Sequence, residues 1–454
     1  MKKNLKTMLT AACLLATGLQ AHAATSRPAW VVSQVYNYNH QFAATDSADL
    51  ATKMSTMAAS AFQFYRGTDH IFFQDMATLP SSVYTTVQTG YTWLGGDTHI
   101  GNFNAVRDSG GNEVFVVGDF DEGYLGQFVW DVRRLAASMI LAGRDNGLSD
   151  ADITTAINTM VGAYLDKMDA FKGNGDELSF QLKNGNTSGA VQDTISAGNN
   201  GTRSDLLSKY TQLSGGSRTF QTSTQLQAVD AGKYSAIVTA MSAYIASIAP
   251  SKRYSSSYYA VKDIRQKLGS GVGSLGKLRY YILIEGPSSS TSDDVILEMK
   301  QSIGSAVAQV TGGRLPASAY AYNEGCRVAM TSKAQLINAD VLVGCTAISG
   351  THYYLHEKSP YQQDFDLSAL ATAGKLNTAA GYVGPALASA HALADQDYDA
   401  AIVSYSIDKQ VSDAVTSKSS FKAEILNFAF DYATQVNLDW QAFVAAKNAG
   451  TPLY

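Results

Sequence analysis

Apolar residues recur at helical spacing through residues 46–62 (DSADLATKMSTMAASAF), and Asp46 or Ser47 stands where a cap belongs, so a helix is predicted there. From Gly90 to Phe120 the pattern shortens to strands and loops. Asp108-Ser109-Gly110-Gly111-Asn112 reads as a hairpin turn and Val114–Val117 as a buried strand. Asp131–Gly143 and Asp150–Phe171 are apolar helices. Residues 172–232 are rich in Gly, Ser, Thr, Asn and Gln, and predict long connections around a small helix near Ser204–Tyr210. Helix resumes over Tyr234–Ala249. Arg279–Glu285 (RYYILIE) and Val295–Lys300 (VILEMK) form a predicted hairpin joined by the polar PSSSTSDD. Gly325–Asn338 is a predicted helix, Val341–Val343 and Tyr353–Glu357 are predicted strands, and the chain is helical after Asp366. The mixture predicts an α+β protein, and no internal repeat is visible.

Composition narrows this. Of 454 residues, 45% are hydrophobic and 16% charged, too little charge for a disordered chain. A formal charge of −5 argues against a general nucleic-acid binder. No later apolar run is long enough to span a membrane. At the start, Lys2, Lys3 and Lys6 precede the apolar run Met8–Leu19 and the small-residue exit Ala21-His22-Ala23. That order predicts a signal peptide over residues 1–23 and a periplasmic or secreted protein with no membrane insertion after its removal. Thr10 stands where a lipid-anchor motif at Cys13 needs Leu, so no lipid anchor is expected. Export permits a disulfide between Cys326 and Cys345, and two buried free thiols are the other reading. His352 and His356 share a strand face, which by itself reads as a surface pair and not a metal site.

Three stretches carry chemistry. In GGDTHIGNF (Gly95–Phe103), Asp97 precedes Asn102 by five residues. In a tight loop, that carboxylate can accept a hydroxyl proton while the carboxamide oxygen ligates magnesium. In VVGDFDEG (Val116–Gly123), Asp119 follows a buried strand, where a metal ligand is presented to a cleft. By itself such an Asp-x-Asp is more often a solvated turn. In GSGVGSLG (Gly269–Gly276), Gly271, Gly273 and Gly276 precede a strand and not a helix. This disfavours a dinucleotide fingerprint and suits a turn folded over phosphates. Lys300 lies on the returning strand and can reach the same cleft.

The motifs together resemble the bacterial family filed as domain of unknown function 2252. The matching stretches are FYRG (Phe64–Gly67), GDTHIGNF, GDFDEG, FVWDVRRLAAS (Phe128–Ser138), GSGVGSLGKLRYYILIEG (Gly269–Gly286), LEMKQS (Leu297–Ser302), NEGCRVAMTSKAQLI (Asn323–Ile337) and ALASAHA (Ala386–Ala392). More distantly, the family is similar to the protein-kinase-like superfamily, nearest its aminoglycoside and choline phosphotransferases.

That resemblance implies a bilobal kinase-like fold with a small β-rich lobe and a larger helical lobe. Residues 24–250 would begin the helical lobe, 251–366 form the nucleotide lobe and 367–454 complete the helices. The order is permuted, because the Gly loop and Lys300 follow Asp97 instead of preceding it. The resemblance further implies Asp97 as catalytic base, Asp131 as the brace of its loop, and Asn102 and Asp119 as metal ligands. Gly271, Gly273, Gly276 and Lys300 would hold the donor, with magnesium and ATP as cofactors. Arg66 and Arg134 fit the motifs, either as clamps for an anionic small-molecule substrate or in buried ion pairs. Glu324 and Glu298 are candidate partners for Lys300. Cys326 stands where the family usually has Gln, and Cys345 where it usually has Trp.

Two functions from different classes are expected. One is a transferase moving phosphate, or another part of a nucleotide, to a hydroxyl. The other is a non-catalytic ligand-binding protein on the same fold, motivated by the scarcity of ATP outside the cytoplasm. The plain alternative is an exported α+β domain whose acidic loops are structural.

Overall fold

The computed structural model describes residues 26–269 and 271–454, so the predicted signal peptide (1–23) and Ser270 lie outside the described residues. Four helices come first: α1 (Arg27–His40), α2 (Ser47–Met57), α3 (Ala61–Gly67) and α4 (Asp69–Thr78). Strands β1 (Thr92–Leu94), β2 (Phe103–Arg107), β3 (Glu113–Val117) and β4 (Tyr124–Gly126) follow. Next are helices α5 (Phe128–Asp145), α6 (Asp150–Phe171), α7 (Gly189–Asn199) and α8 (Arg203–Tyr210). The middle of the chain holds β5 (Thr211–Ser214), β6 (Ser217–Phe220), β7 (Leu226–Ala228), α9 (Ala231–Ser247), β8 (Val261–Lys267), β9 (Arg279–Ile284) and β10 (Val295–Ser302). It continues through α10 (Ala306–Thr311), α11 (Glu324–Gln335), β11 (Gly344–Ile348), β12 (Thr351–Glu357) and β13 (Gln363–Asp364). Helices α12 (Ala373–Leu393), α13 (Gln396–Asp399), α14 (Ile407–Ala414) and α15 (Lys418–Asn448) end it.

The fold is mixed α+β, as expected. Its largest core joins the early and late helices: Leu135, Met139, Met160, Tyr164, Leu387 and Ile425 are among its fully buried members. Helices α6 and α12 pack along each other, and α15 packs on α5. A second core lies under an antiparallel six-stranded sheet of order β11-β12-β10-β9-β8-β7. There Ile237 and Tyr244 of α9 meet Ile282, Leu297 and Leu355.

Strand alternation on β10 decides where the chemistry goes. Leu297 and Met299 enter the second core. Ile296, Glu298 and Lys300 take the opposite face. Ile296 is covered by Leu207 of α8 and Phe220 of β6, whereas Glu298 and Lys300 open onto a cavity.

The predicted helices over 131–143, 150–171, 234–249 and 325–338 are present with shifted ends, and that over 46–62 is broken at 58–60, where Ser60 caps α3. Asp46 caps α2 by accepting the Asp49 N–H at 3.0 Å. The 108–112 turn joins β2 to β3, and β9 pairs with β10 in the expected hairpin. Three expectations need correction. Residues 341–343 are not a strand, because Asp340 caps a turn there by taking the Leu342 N–H, and β11 starts at Gly344. Residues 172–232 hold more than one small helix: α7 forms because Val191 and Ile195 find the main core, and β5 and β6 form a hairpin. His352 and His356 are not a surface pair, since both are half-buried and polar-bonded: His352 Nδ1 accepts the Glu324 N–H (3.2 Å) and His356 pairs with Glu298 (3.2 Å). Cys326 and Cys345 form a disulfide that joins α11 to β11.

Candidate active site

Strands β2 and β3 pair from Phe103↔Val117 to Arg107↔Glu113, which sets the Asp97–Asn102 loop beside the Asp119–Gly123 loop. The Gly118 N–H donates to the Asn102 carbonyl at 2.7 Å across this junction. Gly96, at φ +83°, lies so close to the Glu122 backbone that a Cβ there would overlap it. The two loops are therefore held in register by backbone contacts, and both face a cavity of about 360 Å³. Arg66, Asn102, Asp119, Asp121, Gly271, Arg279, Glu298 and Lys300 line it.

Acidic groups from the early chain meet a lysine from the late chain here. Lys300 Nζ lies 3.6 Å from Asp119 Oδ1 and 3.3 Å from Asp121 Oδ1. Burial opposes the charge on Lys300, but Asp119 and Asp121 outweigh it and raise its pKa. Burial likewise works against the Asp121 carboxylate, yet Lys300 and Lys277 hold its pKa down at about 2. Lys277 Nζ is 3.9 Å from Asp121 Oδ2, so two ammonium groups flank one carboxylate. Asp119 is 39% exposed and is the open carboxylate of the group.

Neither proposed glutamate is the partner of Lys300. Glu324 pairs with Arg327 at 2.5 Å on its own helix. Glu298 pairs with Arg279 at 2.9 Å and with His356. Burial pushes Glu298 up, and the Arg279 guanidinium, with the His356 hydrogen bond, outweighs it and holds the carboxyl well below its usual range.

Behind the cavity, Asp97 Oδ1 accepts from Arg134 Nε at 2.7 Å and Nη2 at 2.5 Å. Arg134 is fully buried, so of its two readings the ion pair holds. Asn102 Nδ2 donates to the Asp97 carbonyl at 2.7 Å, which leaves the Asn102 side-chain oxygen unused. Asp131 does not reach the cavity. It is fully buried in the first turn of α5, accepts the N–H groups of Gly95 (2.8 Å) and Gly96 (3.2 Å), and lies 3.1 Å from His391 Nε2 of α12. It holds the Gly95–Gly96 turn from behind, the place of a brace for the Asp97 loop.

The glycine run joins β8 to β9. Gly271 lines the cavity, and a Cβ on it would stand 3.9 Å from Arg66 Nη2. Gly273 lies beside the Arg66 carbonyl. Gly276, at φ +94°, packs against Leu50 and Phe42, away from the cavity wall. Arg66 contacts His99 (3.4 Å) and Gln63 (3.3 Å), and no ion pair with a carboxylate within 4.0 Å occurs for it among the described residues. Burial lowers its pKa, with Asp97 opposing.

Lys277 and Arg279 are functional candidates that sequence reasoning missed. The available signal was position: Lys277 follows Gly276 directly, and Arg279 pairs with Lys300 across the hairpin. Two features bear on a magnesium site. Asn102 has an oxygen to spare, and Asp119 is an open carboxylate on the same cavity. One or two carboxylates plus phosphate oxygens and water make a magnesium shell, so this donor set fits. No cluster of three or more His, Cys, Asp or Glu suited to a metal occurs among the described residues.

The model of one bacterial family, described as "Uncharacterized protein conserved in bacteria (DUF2252)", matches residues 45–446. The chain belongs to the DUF2252 family. No match is found among curated proteins or among solved structures. The DUF2252 match spans every cavity-lining residue named above, and it also spans the disulfide. No helix among the described residues is long and apolar enough to cross a membrane.

Proposed function

We propose that this DUF2252 protein is an exported, magnesium-dependent transferase that moves a phosphate, or another part of a nucleotide, to a hydroxyl acceptor. In this reading the fold is a bilobal, permuted version of the protein-kinase-like arrangement. The observation that carries it is the meeting of Lys300 with Asp119 at 3.6 Å in one cavity with Asn102 and Gly271. The hairpin of β2 and β3 sets Asn102 beside Asp119, whereas Gly271 and Lys300 come to them from a part of the chain more than 150 residues away.

Lys300, Arg66 and the backbone at Gly271 bind and orient the phosphates of a nucleoside triphosphate. Asn102 Oδ1 and Asp119 hold magnesium, which supplies charge neutralisation on those phosphates. The acceptor hydroxyl gives its proton to Asp97 Oδ2. Its oxygen bonds to phosphorus as the bond from phosphorus to the leaving oxygen breaks, and the electron pair leaves with that oxygen. Arg134 fixes Oδ1, so the other oxygen is the one presented.

A second reading has one observation in its favour. Asp97 is only 16% exposed and is held by Arg134, as a structural carboxylate would be. On that reading the cavity binds an anionic ligand without turnover. Titration calorimetry with ATP and magnesium tests the main proposal: binding to wild type, lost in Asp119→Ala, is expected. Folded protein that binds no nucleotide would refute it. Binding and biological effect both retained in Asp97→Asn would favour the second reading.

A further inference from the structure

His99 sits between the proposed base and the proposed anion site, and its hydrogen bonds are over-subscribed. The imidazole is buried at 2% exposure. Gly101 N–H donates to its Nδ1 at 3.1 Å, and Arg66 Nε points at its Nε2 from 3.4 Å. Asp97 Oδ2 stands 3.7 Å from the same Nε2. A neutral imidazole has one accepting nitrogen and one N–H, so it cannot accept from both donors. A doubly protonated ring would set N–H against N–H at both ends. Burial, with Arg66 and Arg134 nearby, also disfavours that form and holds the pKa well below its usual value.

The shorter contact decides the tautomer. Gly101 N–H keeps Nδ1 as the acceptor, so the proton lies on Nε2. Of the two groups near Nε2, only Asp97 Oδ2 is an acceptor, and at 3.7 Å it attracts the polarised N–H electrostatically from just beyond hydrogen-bond length. Arg66 Nε–H is then left without an acceptor among the described residues. Arg66 lines the main cavity and also a second one of about 400 Å³, which shares Arg66, Gly101 and Asp364 with the first.

We infer that His99 is a positioning residue that steers Asp97 Oδ2 through its Nε2–H while Arg134 holds Oδ1, and that by refusing the Arg66 N–H it leaves that guanidinium free for a phosphate group. This rests on the proposed roles of Asp97 and Arg66. The substrate class it adds is a phosphate ester or polyphosphate whose outer phosphate reaches Arg66, past Lys300.

Long-range ¹H–¹⁵N spectra of the full protein, labelled at histidine nitrogens, read the tautomer directly. The His99 signal is assigned by its loss in His99→Gln or, should that variant not fold, by its shift in Arg66→Gln. A neutral Nε2–H ring with an accepting Nδ1 is expected. An Nδ1–H ring or a doubly protonated ring overturns the inference, whatever the protein binds. Calorimetry with tripolyphosphate tests the other half. Wild type should bind it, and Arg66→Gln should bind about tenfold more weakly, the loss of one charge-assisted contact. Equal affinity in the two proteins overturns the anion role of Arg66 alone. No binding to wild type overturns that role together with the phosphate reading beneath it, while the tautomer result stands separately.

Discussion

Replacing Asp131 by Asn changes one buried atom and probes the brace on which the Asp97 loop depends. Asp131 Oδ2 accepts the Gly95 N–H and the His391 Nε2 contact, and Oδ1 accepts the Gly96 N–H. The amide oxygen can replace Oδ2, but its NH₂ then faces the Gly96 N–H. One hydrogen bond to a charged group is lost, at about 1.5–3 kcal/mol. The two that remain lose charge assistance, about half their worth each, which brings the total to about 3–6 kcal/mol. Unfolding entropy near 60 °C is about 2.1 cal/mol/K per residue, or roughly 1 kcal/mol/K for a chain of this length. The melting temperature should therefore fall by about 3–6 °C. Hydrogen exchange should show the Gly95 and Gly96 amides losing protection beyond that global change. An Asp131→Asn protein with unchanged melting and unchanged protection at those two amides would refute the bracing argument.

Other outcomes follow from the same geometry. Lys53 is fully buried, and burial together with nearby Lys277 pulls its ammonium down from 10.5 to about 7. A depressed folded value means the stability it contributes is present above 10.5 and is lost as pH falls through about 7. Lys53→Met should therefore gain stability over wild type as pH falls from 10 to 7 in urea titrations, and a pH-independent gap would contradict this. Opening the Cys326–Cys345 bridge, which spans 19 residues, should cost about 3 kcal/mol. Melting of Cys326→Ser/Cys345→Ser against wild type checks it, and equal stability would count against the disulfide. Lys300→Met should weaken magnesium–nucleotide binding at least about tenfold, since it removes a charge-assisted contact. It should leave the fold intact, as seen by circular dichroism, and unchanged affinity would remove Lys300 from the site.

Much of this architecture was legible in the chain because its signals are local. The helical spacing of apolar residues in α2 and α6, the compact apolar run of α5, the turn residues at 108–112 and the alternation in β9 and β10 depend on near neighbours alone. Helix α7 was missed because GAVQDTISAGN has weak helix formers, and burial of Val191 and Ile195 overrides that weakness. The start of β11 was misplaced because Val341–Val343 looks like a strand, while Asp340 ends that option by capping a turn. At the site, Asn102, Asp119, Gly271 and Lys300 were found from motif chemistry and do share a cavity. The partners of Lys300 were not legible, because Asp121 reaches it across a gap of 179 residues. The burial of Asp131 and the packing of Gly276 on Leu50 depend in the same way on helices remote in sequence.

The central claim is that Asn102, Asp119 and Lys300 form one nucleotide and metal site. Crystals soaked with magnesium and a non-hydrolysable ATP analogue test it most directly. The account predicts a metal bound by the Asn102 oxygen and the Asp119 carboxylate, with phosphate oxygens on Lys300 and Arg66. A well-ordered analogue bound elsewhere, with Lys300 still paired to Asp119 and Asp121, would contradict it.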